Sequence, residues 1–306
     1  TLSSSSAASD VYKRQEKKIS DEKSYDNQFP KRMFFRLHKF DFNYSSGREL
    51  DYRFQFSLGI SGYKRSSFQF DIFSDEFKSG FSAAFKYHLT GKKTKYDFLL
   101  TLQPKYQLIK QSEDETRDWD ISAFNTELNI SNIIDFKNPS QGVSILLGYE
   151  TGSDKIYEKL SYQRFKFQLK NFYSLSRRHV LAGNIVCEKM TGEYPHNYLL
   201  TLVGLFNLKS YYDDELRGKE KVIVQLEDRF LVIENIGFTL FKLAMLHKVH
   251  LITGIAAGRF TEVSDEFKYS AYFGFRINLL TLGVKPFIIS FDYSGERFYL
   301  FMNHPF

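Results

Sequence analysis

The stretch LDYRFQFSLGIS, residues 50–61, decides the fold. Leu50, Tyr52, Phe54, Phe56, Leu58 and Ile60 share one parity, and Asp51, Arg53, Gln55, Ser57, Gly59 and Ser61 share the other. Successive side chains of an extended chain point to opposite faces, so this is one long strand with an oily face and a polar face. The pattern returns at 96–108, where Tyr96, Phe98, Leu100 and Leu102 oppose Asp97, Thr101 and Gln103, and at 267–279, where Phe273, Phe275 and Ile277 oppose Gly274, Arg276 and Asn278. Shorter copies carry Phe81, Phe85 and Tyr87, then Phe165, Phe167 and Leu169, then Phe287, Ile289 and Phe291. Pro104 cannot donate to a ladder and predicts a bulge or an edge-like position.

Composition agrees. Among 306 residues there are 32 Phe and 20 Tyr against one Trp and six Pro, a balance that favours pleated strands. Apolar residues make up 42% of the chain, but charge or amide interrupts every apolar run before the roughly 20 residues of a spanning helix. Transmembrane helices are thereby excluded. The two-faced runs exceed the usual strand length of about 5 to 6 residues and suit the roughly 9 to 11 tilted residues that cross a bilayer. A soluble interior could not hold so many rings from so many long strands, so the apolar face is expected to point outward. A soluble lipid-binding barrel is the alternative of opposite polarity. Tyrosines near strand ends, Tyr149 and Tyr293 among them, suit interfacial girdles.

The fold expected is therefore all-β, a transmembrane antiparallel β-barrel of about 16 strands occupying residues 31–306. Residues 196–209 are included as one of its strands, and 233–247 as an apolar turn. Residues 1–30 read as a disordered or artefactual segment: TLSSSSAASDVYKRQ has no periodic pattern and resembles translated adaptor sequence, which would make the chain a fragment. Cys187 is the single cysteine, which excludes an internal disulfide framework and multi-cysteine metal sites. The formal charge is +6, yet 42 basic and 36 acidic residues interleave along the chain without a dense basic run, so nucleic acid is not an expected partner. No GxSxG, HExxH, P-loop or GxGxxG motif occurs, and His247 and His250, three apart in a strand, face opposite ways. Neither a metal, a cofactor nor covalent catalysis is expected.

One segment carries more. In ELRGKEKVIVQLEDRFL, residues 215–231, Leu216, Arg217 and Gly218 precede a strand whose polar face bears Gln225, Glu227 and Arg229. Further on come GIAAGRF at 254–260 and a final strand in which Phe298, Leu300 and Met302 alternate before Phe306. These features resemble the bacterial surface-antigen superfamily, the barrel domain of BamA- and TamA-type assembly factors and two-partner secretion transporters. That family has an (I/V/L)RG(F/Y) loop motif, an E(Y)RF strand, a strand ending in DAGRxW, and a terminal aromatic insertion signal. The resemblance is best over roughly residues 210–306. Lys219 stands where the family has an aromatic, Asp228 where it has Tyr, Ala257 where it often has Asp, and His304 and Pro305 interrupt the terminal signal.

The resemblance implies that the Leu216-Arg217-Gly218 loop folds into the lumen, with Arg217 beside an inward carboxylate, Glu227 or Asp292, and with Arg229 as a neighbouring lumen-wall base. A solvated Arg217, with Glu227 paired to Arg229, is the alternative. If Phe306 ends on the periplasmic side, five strands must follow this loop for it to be extracellular. The implied role is insertion of outer-membrane proteins or protein translocation in the bacterial outer membrane, with the lipid bilayer, lipopolysaccharide and client polypeptides as partners. The alternative function is a passive, anion-preferring porin whose lumen bases are Arg53, Lys105, Arg164, Lys166 and Lys170.

Overall fold

The structure, a computed structural model, describes residues 34–46, 51–63, 66–75, 78–89, 96–109, 119–133, 139–154, 161–194, 198–203, 207–211, 216–234, 239–240, 244–261, 266–281, 287–295 and 297–302. In chain order the strands are β1 (Phe34–Ser46), β2 (Asp51–Tyr63), β3 (Ser66–Asp75), β4 (Lys78–His88), β5 (Asp97–Ile109), β6 (Trp119–Ser131), β7 (Gly142–Asp154), β8 (Ser161–Ser174), β9 (His179–Gly192), β10 (Leu200–Thr201), β11 (Arg217–Gly218), β12 (Glu220–Glu234), β13 (Thr239–Leu240), β14 (Ala244–Phe260), β15 (Lys268–Thr281), β16 (Phe287–Ser294) and β17 (Arg297–Met302). β10, β11 and β13 are two residues each.

From β1 to β9 each strand pairs antiparallel with its sequence neighbour. β9 pairs with β12, β12 with β14, and β14 to β17 follow in order. β17 in turn pairs with β1. Among the described residues the ladder thus returns to its first strand after fourteen long strands, against the about 16 expected from length.

Part of the difference lies at 196–209, whose described residues form no wall strand. Its apolar residues are not confined to one parity: Leu200, Leu202, Val203 and Leu208 are all buried. A segment apolar on both faces cannot serve as a wall with one face wet, so it packs inside instead. Five long strands follow the Leu216-Arg217-Gly218 segment, as the parity argument required, and only the two-residue β13 lies in the described part of 233–247 between β12 and β14. Pro104 sits in a strand paired on both sides. Its missing donor coincides with a gap in the β4–β5 ladder between Ser82↔Lys105 and Phe85↔Leu102, while Pro104↔Phe124 continues the β5–β6 side.

The wall is inverted relative to a soluble domain. Phe68, Phe70 and Ile72 are exposed on β3 while Asp71 between them is buried. On β15, Phe273 is 53% exposed and Arg276 only 1%. An exterior this apolar and an interior this charged are stable when hydrocarbon lies outside and the polar groups pair within. Because the strands alternate in direction, β1 begins and β17 finishes at the same end, and residues 193–219 connect β9 to β12 at the opposite end.

Candidate lumen plug and its wall

The connection from β9 to β12 folds back into the barrel. Leu200 and Thr201 pair with Gly218 and Arg217, the Leu202 N–H donates to the Leu216 carbonyl at 3.1 Å, and the Leu208 N–H donates to the Leu202 carbonyl at 2.8 Å. Tyr198, Leu200, Leu202 and Leu208 form one apolar cluster with Tyr162, Ile223, Ala256 and Phe260 of the wall. Gly218 makes this possible at the loop base: a Cβ there would lie 2.6 Å from the Phe260 ring. The GRF end of the 254–260 segment thus supplies the ring on which the LRG segment closes.

Two polar clusters fix the plug. Toward the loop's own end, Glu150 accepts from Tyr198 at 2.6 Å, from Tyr162 at 3.0 Å and from Lys105 at 2.5 Å. Burial, then the Glu150 carboxylate, pushes the Tyr198 phenol well above its usual pKa, so it stays a donor at neutral pH. Beside it Glu188 meets Arg164 at 2.5 Å and Lys221 at 3.7 Å, and Lys221 donates to the Thr201 carbonyl at 3.0 Å. The second cluster lies on β15, β16 and β17. Lys209 ion-pairs with Asp292, sits 3.5 Å over the centre of the Tyr272 ring, and its carbonyl accepts from the Tyr299 hydroxyl at 2.7 Å. The Ser210 N–H donates to Ser270 Oγ at 3.1 Å, and Arg297 donates to the Tyr211 carbonyl at 2.6 Å. Residues 209–211 are therefore clamped by β15, β16 and β17.

Glu227 anchors the wall behind that clamp. It accepts from Arg229 at 2.6 Å and from the Tyr272 hydroxyl at 3.0 Å, and Arg276 lies 3.3 Å away. The two guanidiniums and the carboxylate are each 1% exposed. Desolvated charges of this kind persist only when paired, and losing one partner is costly. Arg229 also donates to the Pro139 carbonyl at 3.2 Å.

The structure brings Glu227 and Arg229 together and gives Asp292 to the plug. On that carboxylate the loop cation is Lys209, a residue the sequence reading had not named. Lys209 was passed over because 196–209 had the look of a strand. Its signal was present all the same: it is the one charge within YLLTLVGLFNLKSYY, residues 198–212. Of the terminal residues, Phe298 is exposed on β17, Leu300 is half-buried, Met302 ends that strand, and Phe306 lies outside the described residues. Asp228 is half-exposed on the outward face, 3.6 Å from His179. The side chain of Arg53 lies outside what is described.

Residues 5–220 match the Omp85 superfamily domain. That stretch lies almost wholly upstream of the motifs at 215–231 and 254–260. Among solved structures, the chain is similar to CdiB from Escherichia coli, with a TM-score of 0.59 at 9% identity over 86% of this chain and 62% of that one. CdiB from Acinetobacter baumannii follows at 0.49 and 11% over 88% and 59%, and BamA from Haemophilus ducreyi lacking POTRA domains 1-3 at 0.44 and 11% over 92% and 76%. The chain thus spans less than two thirds of either CdiB chain. At these identities the likeness concerns the fold. No curated protein matches the chain.

Proposed function

From a chain that belongs to the Omp85 superfamily, and is thereby a bacterial outer-membrane barrel, we propose a machine that acts on client polypeptides by offering them the edge between β1 and β17. One observation carries this reading. Only three residue pairs, Tyr44↔Leu300, Ser45↔Tyr299 and Ser46↔Phe298, join β1 to β17 among the described residues, whereas β1 meets β2 through eleven. Among the described residues β1 thus has few β17 partners, and the backbone donors and acceptors of such an edge are what a client strand can satisfy by antiparallel pairing.

The plug gives this edge a support. Tyr299 and Arg297 of β17 hold the loop carbonyls of Lys209 and Tyr211, so the last strand is braced from inside while its outer edge stays short of partners. A plug held by two ion-pair clusters also argues against the passive anion pore. Lys105 and Arg164 face carboxylates at 2.5 Å instead of an open channel.

The test is a disulfide across the seam. Tyr44→Cys with Leu300→Cys, in a Cys187→Ser background, should abolish folding of a urea-unfolded eight-stranded outer-membrane barrel in proteoliposomes, and reductant should restore it. The same lock between Val224 and Ala257, paired on β12 and β14, should leave folding unchanged. Full client folding with the seam locked, or steady anion-selective conductance in planar bilayers, overturns the reading.

A further inference from the structure

A groove of about 510 Å³ opens on the outward wall where β7, β8, β9 and β12 lie side by side, away from the seam. Its lining follows the two-residue repeat. Leu147, Phe167, Cys187 and Val222 form one outward row across the four strands, and Phe165, Lys189, Glu220 and Thr261 belong to the next row toward the end at which 193–219 connect β9 to β12. Cys187 and Val222 are small beside Leu147 and the two phenylalanines, so the surface sinks between them. The groove straddles the edge of the apolar band. Inward along the strands the following outward row is Ile145, Leu169, Ile185 and Val224, whereas toward the strand ends it is Thr151, Gln163 and Thr191. A charge pair on the lipid face is stable at that boundary, where headgroups and water reach it.

That pair is Lys189 with Glu220, whose other oxygen accepts from the Thr261 hydroxyl at 2.7 Å. Both carboxylate oxygens are thus engaged from within the protein, while the Lys189 side chain is 58% exposed and its ammonium carries three donors. Arg259, in register with Val222, holds its guanidinium 5.0 Å over the Phe267 ring. Two cations therefore flank one acid here, and the excess is positive. We propose that this groove binds one phosphorylated glycolipid of the outer leaflet, the lipid A portion of lipopolysaccharide. An acyl chain runs over Cys187 and Val222, a phosphate meets Lys189 with Arg259 flanking it, and the hydroxyls and amide of Thr151, Gln163 and Thr191 lie at the level of the sugar. Lysine offers phosphate a point charge and arginine a planar fork. The volume falls within the roughly 300 to 1,000 Å³ of small-molecule sites. Continuity with the lipid-facing wall selects a membrane lipid over a soluble phosphate. Only the choice of lipid rests on the outer-membrane reading above and on strand parity, which put this end in the outer leaflet.

Native mass spectrometry of the full chain in phosphatidylcholine nanodiscs, doped with equal trace amounts of lipid A and phosphatidylglycerol, tests this. The wild type should retain one lipid A with roughly tenfold preference over phosphatidylglycerol. K189Q should cut that preference about fivefold, the effect of one basic group at a membrane surface. C187W, which fills the floor with a ring and changes no charge, should lower it by a similar factor. I72W, on the lipid-facing side of β3, should leave it intact. Heat-modifiable gel migration checks that each variant is folded. Equal retention of the two lipids by the wild type, undiminished preference in K189Q or in C187W, or equal loss in I72W overturns the proposal. Client folding is not read in this assay, so its failure and that of the seam are separable.

Discussion

The β12–β14 boundary and the β1–β17 boundary are made of the same antiparallel pairing, yet they are opposites. The first joins thirteen residue pairs from Lys221↔Phe260 to Glu234↔Lys248, backed by Glu227, Arg229 and the apolar end of the plug. The second joins three among the described residues. A barrel wall is strong where each strand has two full neighbours and a packed inner face, and weak where a ladder is cut short. The difference locates rigidity in the second half of the chain and availability at its seam.

Amide hydrogen exchange gives the widest contrast. Opening free energies range from near zero at loosely paired edges to the global value in core strands, so β1 amides that lack a β17 partner should exchange several orders of magnitude faster than those of β12. Equal protection on both boundaries would erase the comparison. Next in size is Glu227→Ala, which strands two buried guanidiniums and should lower stability by about 3 to 5 kcal/mol in urea unfolding from detergent. A loss under about 1 kcal/mol would mean that water already screens the cluster.

The plug clamp sharpens the comparison further. Lys209→Met should cost about 3 kcal/mol by leaving Asp292 buried alone, and adding Asp292→Asn should recover much of it, a coupling that a double-mutant cycle measures. Additive effects would show that the pair does not hold the loop. The smallest effect is expected from Gly218→Ala. Its Cβ would meet the Phe260 ring at 2.6 Å, so the ring must shift, at about 1 to 3 kcal/mol and with faster proteolysis of the loop. An unchanged loop would show that Phe260 yields freely.

Legibility differed between wall and plug for one reason. A wall strand writes its environment into residue parity, so the outward faces around Phe81, Phe165 and Phe273 could be read directly, and each is exposed. The plug has no such periodicity, because its residues touch the lumen on every side. Leu200 and Leu208 had the look of a strand, and Lys209 the look of its end. Tyr272 and Tyr299, which complete the clamp, belong to strands far along the chain from Lys209, and nothing local marks them as its partners.

By itself the sequence determined an oily and a polar face, strands long enough to cross a bilayer, and an LRG segment five strands from the end. These are local properties, set by the two-residue repeat of extended backbone. Tertiary structure alone decided that fourteen strands make the circuit among the described residues and that Lys209 meets Asp292. Both depend on which strand lies beside which, because antiparallel pairing brings residues far apart in the chain to one place.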